Sequence, residues 1–157
     1  MKRGIPVPLL RLASQLRQIY WKTFKPKKFG VKVLILHPDD PGLFLLVQHS
    51  YGDRSLWGLP GGGYKPRHES PEQAARRECR EELGLELGPA VTVVTEHLTT
   101  QEGKHDHLTI LRGRATTAEL NVNQEIAATR WMPLDVSALP ADWRVSQWAT
   151  AAIVAVT

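Results

Sequence analysis

The sequence of 157 residues lacks several features that mark particular classes of protein. It has one cysteine, Cys79, which excludes an intramolecular disulfide framework and a metal site built from several cysteines. It also lacks an apolar run of the roughly 18 residues that a membrane-spanning helix needs. Because a single cysteine is typical of reducing compartments, we expect a cytoplasmic protein. The length predicts one domain with a full hydrophobic core.

Acidic residues are missing from the first 37 positions, whereas nine of the 20 lysines and arginines lie there. The other 11 basic residues stand against all 16 acids, so a basic arm precedes an acidic body. Apolar residues at helical spacing predict a short amphipathic helix from Leu9 to Tyr20. These apolar residues are Leu9, Leu12, Leu16 and Ile19. We expect the arm to occupy residues 1–29 and the folded domain residues 30–157.

Three roles are open for the basic arm. It could pack on its own domain or across a homodimer, it could contact an anionic membrane or nucleic acid, or it could be a transit peptide. Basic amphipathic helices indicate a surface or a partner without identifying it, so packing is the default expectation. No nucleic-acid-binding motif accompanies the charge, and nucleic acid is therefore not an expected partner.

The body alternates between strand and helix patterns. Val31 to Leu36 and Leu43 to Gln48 are β-rich apolar runs on either side of a turn that contains proline and glycine. Further strands are predicted at residues 90–98, 107–115 and 129–132, and a last helix from an Asp142 cap to Val154, with Trp143, Trp148 and Ala152 facing the core. This order predicts an α/β fold with a mixed β-sheet layered between helices.

One helix has well-marked ends. Ser70 and Gln73 form a capping box, Pro71 takes the favoured first helical position, and Gly84 lies where a left-handed C-cap belongs. Three glycines at residues 61–63 precede it, and their missing side chains let the backbone approach a ligand or an ion closely.

Three acids near the end of this helix indicate a cation site. At about 100° per residue, Glu78, Glu81 and Glu82 project within an arc of about 100°. Clustered carboxylates repel one another unless a cation compensates them, and a hard divalent ion is suited to that role. The alternative is a solvated helix face on which Arg77 and Arg80 neutralise the glutamates.

Residues 63–85 resemble a known motif. Counted from Gly63, they match the Nudix box, Gly-x5-Glu-x7-Arg-Glu-U-x-Glu-Glu-x-Gly-U with U apolar, at every fixed position. Cys79 takes one U position, where cysteine behaves as a small hydrophobic residue. The preceding segment from Trp57 to Gly62 is also similar to the family. The chain thus resembles the MutT-like Nudix hydrolases.

The resemblance implies an α/β/α Nudix sandwich and an enzyme that uses Mg²⁺, with Mn²⁺ as an alternative. Its reaction would be hydrolysis of a diphosphate linkage in a nucleoside diphosphate derivative, a small-molecule substrate. A Nudix-fold protein that binds nucleotides in a regulatory role is the alternative, although such a protein would be suspected from a lost box carboxylate. No box carboxylate is lost here.

The resemblance also implies roles for individual residues. The expected metal ligands are Glu78 and Glu82, with Glu81 as a third ligand or water holder and the carbonyl of Gly62 completing the site. Glu69 and Arg77 are expected to form a structural salt bridge.

The general base is open between Glu81 in the box and Glu125 on a later loop, and Glu82 belongs with them to the catalytic set. Tyr51, Arg54 and Lys65 are candidates for contact with the substrate, Tyr51 by stacking on a nucleobase and the two cations by contact with phosphates. Their alternative is an ordinary solvated surface.

Overall fold

The computed structural model describes residues 8–9, 11–16, 27–99 and 105–157. Residues 8–9 and 11–16 are helical, and the remainder of the predicted arm helix lies outside the described residues. The three described leucines of the arm are more than half exposed, so the described part of the helix does not bury them on the domain. No helix in the described ranges is long and apolar enough to cross a membrane.

Within residues 27–99 and 105–157 the structure has eight strands and two further helices. The strands are β1 (Lys27–Leu36), β2 (Leu43–His49), β3 (Leu56–Gly58), β4 (Gly61–Tyr64), β5 (Thr92–Thr99), β6 (His105–Arg114), β7 (Ile126–Pro133) and β8 (Arg144–Val145). The helices are α1 (Pro71–Leu83) and α2 (Gln147–Val156), with a short 3-10 turn at Val136–Ala138.

The strands form one mixed sheet in the order β5-β6-β1-β2-β3-β8, with β4 paired to β1 and β7 paired to β2. The β1–β6 and β3–β8 pairs are parallel, and the other pairs are antiparallel. The predicted mixed sheet is therefore confirmed. Its connectivity leaves β4 beside the first half of β1, where Val31 lies opposite Gly62.

The core has two parts, one on each face of the sheet. On β1, Val31 and Val33 belong to the cluster that includes Ala75 and Cys79 of α1. Leu34, which points to the opposite face, belongs to the cluster with α2. Because successive side chains of a strand alternate between faces, one buried strand contributes to both layers. The predicted layering of a sheet between helices is confirmed.

The ends of α1 follow the predicted capping pattern. The Gln73 N–H donates to the Ser70 hydroxyl at 3.2 Å, and the Ser70 N–H donates to the Gln73 side chain at 2.8 Å. At the other end, Gly84 has φ of +63° and donates its N–H to the Arg80 carbonyl at 3.0 Å. These local bonds fix where the box helix starts and stops.

Several element ends differ from the predicted ones by one to three residues, and two predicted boundaries are wrong by four residues. The strand predicted from Val31 begins at Lys27, because β6 extends the parallel ladder to that residue. The last helix is capped by Ser146 and not by Asp142. Trp143 lies before that helix, where its ring stacks on Trp57 with centroids 4.3 Å apart.

The physical reason for the second error is a strand pairing. Arg144 and Val145 pair with β3, so the chain is extended at the place where its apolar spacing predicted helix. Trp148 lies on α2 as predicted. Both Trp143 and Trp148 pack against the core cluster that contains Leu34 and the α2 residues.

Candidate functional site

The site is built where the glycine strand β4 meets α1. A Cβ atom added at Gly62 would lie 2.6 Å from Oε1 of Glu78, a distance that real Cβ atoms essentially never show. The neighbouring Gly61 N–H points at Glu82 and donates to its Oε2 at 3.3 Å. The absence of side chains on β4 thus lets two carboxylates approach the backbone of the sheet.

Glu78 and Glu82 are both buried, with 8% and 2% of their surface exposed. Burial raises the pKa of Glu78, and the charge of Glu82 adds to that effect. Glu81, in contrast, turns its side chain outward with 56% of it exposed. The three acids therefore have different environments: the side chains of Glu78 and Glu82 face the sheet, and that of Glu81 faces solvent.

Arg77 connects the loop before α1 to these acids. Its Nη2 donates to Glu69 at 2.6 Å, while its Nη1 donates to Glu78 at 2.8 Å and to Glu81 at 3.2 Å. Nη2 also donates to the Gly63 carbonyl at 3.2 Å. The guanidinium hydrogen bond holds the pKa of Glu69 below its ordinary value. One side chain therefore positions the loop, the glycine strand and two of the box carboxylates.

The donor chemistry of the site fits a hard divalent cation. Such ions take oxygen ligands, and Glu78 and Glu82 bring carboxylate oxygens to one buried spot beside the Gly62 backbone. Arg77 donates hydrogen bonds to Glu78 and Glu81. No three His, Cys, Asp or Glu side chains in the described ranges are arranged to bind an ion as they stand. The ligand roles of Glu78, Glu81, Glu82 and the Gly62 carbonyl stay predictions.

A cavity of about 300 Å³ lies on the other side of His49 from Glu82, and neither buried glutamate lines it. Lys32 of β1 and His49 of β2 line one part of it, and Ser146 and Trp148 line the part toward α2. Nε2 of His49 lies 3.8 Å from Oε1 of Glu82. The charges of Glu82 and Glu78 act on the Lys32 ammonium, whose pKa is nevertheless lowered by burial. Lys32, His49 and Trp148 therefore face a small space that Asp53 also lines.

The sequence profile of the NUDIX domain matches residues 26–151, which is most of the chain. The chain belongs to the NUDIX domain family. Its Nudix box is the β4–α1 segment described above, in which Glu78 and Glu82 of α1 are directed at the glycine strand.

Three similar proteins show how closely the chain matches other members of the family. "Putative 8-oxo-dGTP diphosphatase 3" of Mycobacterium tuberculosis is 34% identical over 114 residues, which cover 67% of this chain and 52% of that protein. The chain thus spans about half the length of the curated relatives that it matches. The crystal structure of a MutT NUDIX hydrolase from Burkholderia pseudomallei matches with a TM-score of 0.68 and 26% identity, over 84% of this chain and 99% of that one.

A third match shows the fold alone. The NUDIX domain of Shewanella oneidensis NrtR, crystallised with ADP ribose, is 21% identical with a TM-score of 0.65, over 92% of this chain and 95% of that one.

The three residues predicted to contact the substrate lie in different parts of the fold. Tyr51 lines the cavity beside His49, and the centroids of the two rings lie 5.2 Å apart. Lys65 lines a different cavity of about 500 Å³, together with Phe29 and Tyr64, at the other end of β4. Arg54 is exposed and lines neither of these two cavities. Tyr51 is thus the predicted residue that packs against His49, the neighbour of Glu82.

Glu125 lies on the loop before β7. Its carbonyl accepts the Ser50 N–H at 2.8 Å, and the nearby Asn123 N–H donates to the Glu82 carbonyl at 3.0 Å. These bonds tie the loop to the end of β2 and to the end of α1, the two elements that carry His49 and Glu82. The Glu125 side chain is exposed, so its role as base stays a prediction.

Lys32, His49 and Trp148 are site residues that the sequence interpretation missed. The sequence contains one signal for Lys32, because it is the one charged residue in the otherwise apolar run from Val31 to Leu36. His49 and Trp148 gave no comparable local signal, since they reach the cavity through pairing of distant segments.

Cys79 is not a nucleophile candidate. It is fully buried among the apolar side chains of the first core cluster. Burial raises the pKa of its thiol to about 12, so the reactive thiolate is scarce at neutral pH.

Proposed function

We propose that this chain is a metal-dependent pyrophosphohydrolase that cleaves a diphosphate linkage in a nucleoside diphosphate derivative. The observation that carries the proposal is the pair of buried carboxylates, Glu78 and Glu82, held against the glycine strand. A cavity lined by Lys32, His49, Tyr51 and Trp148 lies nearby. Burying two acids side by side is unfavourable in a purely structural role, which supports a site for a divalent ion.

In this proposal the chain supplies the ligands, the base and the binding surface. Bound Mg²⁺ or Mn²⁺ would neutralise the diphosphate and lower the pKa of a coordinated water. Glu78, Glu82 and the Gly62 carbonyl would hold the ion. Glu81 or Glu125 accepts the proton of the attacking water, since each is a carboxylate close to this edge of the sheet. The products are a nucleoside monophosphate and a second phosphorylated fragment.

Substrate selection depends on residues outside the box. The names of the relatives bring 8-oxo-dGTP and ADP ribose into the set of candidates, beside other nucleoside triphosphates, sugar nucleotides and dinucleotides. A cytoplasmic location, expected from the single cysteine, accords with such substrates and stays a prediction.

The test is a hydrolysis screen over these compounds with Mg²⁺ or Mn²⁺, with products identified by mass. We expect at least one compound to release a nucleoside monophosphate, and release in ¹⁸O-labelled water identifies the phosphorus that is attacked. A parent protein that binds members of the set but hydrolyses none would support the regulatory alternative and overturn the proposal.

A second candidate function concerns the basic arm, and it rests on the exposure of its apolar face. We propose that the arm contacts an anionic membrane surface. Leu9, Leu12 and Leu16 are 56%, 53% and 58% exposed and lie on one side of the helix, while the arm carries basic residues and no acid. Apolar burial and attraction to anionic lipids act together in such helices.

Vesicle co-sedimentation tests the membrane contact. We expect binding to vesicles with anionic lipid, little binding to neutral vesicles, and weaker binding at high salt. Leu12→Gln should reduce binding, whereas Ser14→Gln, on the opposite side of the same helix, should not. Equal sedimentation with neutral and anionic vesicles, or a self-association that the leucine substitution abolishes, would contradict a membrane role in favour of a homodimer.

A further inference from the structure

The carboxylate of Glu82 is buried with few hydrogen bonds of its own. Only 2% of the residue is exposed, and its Oε2 accepts the Gly61 N–H at 3.3 Å, a long distance for such a bond. Oε1 lies 3.8 Å from Nε2 of His49. Within the described ranges no other hydrogen bond or ion pair reaches this carboxylate. It is therefore short of donors, because a carboxylate has about four acceptor positions.

The imidazole of His49 has a matching deficit. Its Nε2 is buried and has no hydrogen-bond partner in the part of the chain that the structure describes. Buried polar atoms are nearly always paired, so the unpaired nitrogen and the poorly supplied oxygen call for a common explanation. Their separation of 3.8 Å exceeds a hydrogen bond by roughly 1 Å. A small rotation of either side chain would join them.

The backbone that carries His49 is held by the neighbouring strand. His49 is the last residue of β2, and the β2–β7 ladder shifts register directly before it, an irregularity that is frequent beside active sites. The next residue, Ser50, donates its N–H to the Glu125 carbonyl at 2.8 Å and its hydroxyl to the Gln124 carbonyl at 2.6 Å. The Tyr51 ring packs against the imidazole. The ring therefore approaches α1 from a fixed support.

The gap between His49 and Glu82 leaves room for a third group. If the two side chains served only to satisfy each other, closing the gap to about 2.9 Å would stabilise the folded chain. Glu82 is also one of the two buried carboxylates that the glycine strand admits. Carboxylates that hold a metal ion are themselves oriented by hydrogen bonds from outer side chains. His49 is placed to supply such a bond to Glu82.

We propose that His49 is a positioning residue for the metal site: its Nε2–H donates to Glu82 and fixes the direction of the carboxylate that would hold a divalent ion. The inference rests on the proposed function and deepens it, because it assigns an outer partner to one of the two expected ligands. In this role His49 touches neither the ion nor the substrate. A neutral imidazole must then carry its proton on Nε2 and not on Nδ1.

Binding of Mn²⁺, followed by the EPR signal of the free ion, tests this role without turnover. His49→Phe keeps an aromatic ring and removes the donor, and we expect it to weaken Mn²⁺ binding about 10- to 100-fold. His49→Gln places an amide N–H at a similar distance from the backbone and should restore most of that affinity. A merely structural role would lower the Tm and leave the Mn²⁺ affinity unchanged.

His107 offers a matched control on the same sheet. Its Nε2 also lies 3.8 Å from a glutamate oxygen, Oε1 of Glu96, but that side chain is 56% exposed and belongs to the edge strand β5. His107→Phe should therefore bind Mn²⁺ as the parent does. A double variant adds a second control, because His49→Phe should weaken binding little further once Glu82→Gln has removed the carboxylate that it positions.

An NMR measurement on the parent keeps the test decisive even where His49→Phe fails to fold. Long-range ¹H–¹⁵N correlation of the histidine rings identifies which ring nitrogen carries the proton. With Mg²⁺ added, we expect the His49 proton on Nε2. A neutral ring with its proton on Nδ1 would overturn the positioning role.

Hydrolysis kinetics separate this role from contact with the substrate. His49→Phe should raise the Mg²⁺ concentration that gives half the maximal rate, and it should leave the substrate KM at saturating Mg²⁺ close to that of the parent. Unchanged Mn²⁺ affinity in a folded His49→Phe, or a loss that His49→Gln does not restore, would also overturn the inference. Failure of the proposed function appears separately, as a parent that binds Mn²⁺ with these dependences and hydrolyses no compound in the screen.

Discussion

Glu78 occupies the space that a side chain at residue 62 would need. The Cβ of an alanine at Gly62 would lie 2.6 Å from Oε1 of Glu78. We therefore expect Gly62→Ala to push the carboxylate aside with modest loss of stability, because the end of a glutamate side chain can move. Displacement of about 1 Å at a reacting centre costs about 100-fold in rate. Hydrolysis kinetics with a thermal melt measure both effects.

The glycines on either side provide matched controls for that substitution. At Gly61, φ is +147° and a Cβ would lie only 2.0 Å from the Val31 carbonyl oxygen, so Gly61→Ala should lower stability by more than about 1–3 kcal/mol. At Gly63 the nearest atom is 3.7 Å away, and Gly63→Ala should be close to neutral in both measurements. Equal effects of the three substitutions would show that contact with Glu78 is unimportant.

Glu78→Gln and Glu82→Gln should each lower kcat/KM by about 100- to 1000-fold. A metal site contributes several kcal/mol to transition-state stabilisation, and a neutral amide is a much weaker ligand than a carboxylate. Folding should be retained, because glutamine has nearly the same shape. Metal titrations should show weaker activation by Mg²⁺.

Glu119→Gln serves as the control for those substitutions, since Glu119 is exposed and lies outside the site. A Glu82→Gln variant that hydrolyses as fast as the parent would rule out the proposed metal site.

The Glu69–Arg77 pair should make a pH-dependent contribution to stability. Arg77 lowers the pKa of Glu69 below its ordinary value of 4.5, so the carboxylate form favours the folded state. The contribution is present above about pH 4.5 and is lost as the pH falls through the lower folded-state value. Because both side chains are partly exposed, we expect it to be about 1 kcal/mol or less.

Thermal melts of the parent and Glu69→Gln from pH 8 to pH 3 measure this contribution. The difference in Tm should be constant above about pH 5.5 and should shrink below about pH 4.5. A difference that grows on acidification would contradict the sign of the pKa shift.

Cys79 should be inert in the folded protein. Its thiol is buried and its pKa is raised to about 12, so iodoacetamide at pH 8 should leave it unmodified and should leave activity unchanged. Mass spectrometry before and after denaturation measures the modification, which should appear only in the denatured protein. Loss of activity that parallels labelling of the native protein would indicate an accessible cysteine with a role in the reaction.

The parts of the fold that follow from neighbouring residues were predictable from sequence. The Ser70 and Gln73 cap and the Gly84 stop depend on contacts within a few residues, and the helix begins and ends where they indicate. The spacing of the box likewise places Glu78 and Glu82 on the same face of α1, one helical turn apart.

The parts that depend on distant pairings were not predictable. Trp143 was assigned to a helix because its spacing is helical, yet pairing of Arg144 with β3 makes the chain extended there. Lys32 and His49 meet Glu82 because β4 pairs with β1 and because β2 ends beside α1. No local pattern contains those relationships, since they depend on which strands are neighbours.

The alternation of side chains along β1 has a consequence for how such a protein can diversify. Val31 and Val33 pack toward the helix that carries the glutamates, while Lys32 and Leu34 belong to the side of α2 and the cavity. Substitutions in α2 or in the loop after β2 can reshape the ligand space and leave the spacing of the carboxylates intact. After gene duplication, one copy could therefore acquire a new substrate through changes confined to the α2 side of the sheet. The carboxylates on the α1 side would keep their arrangement.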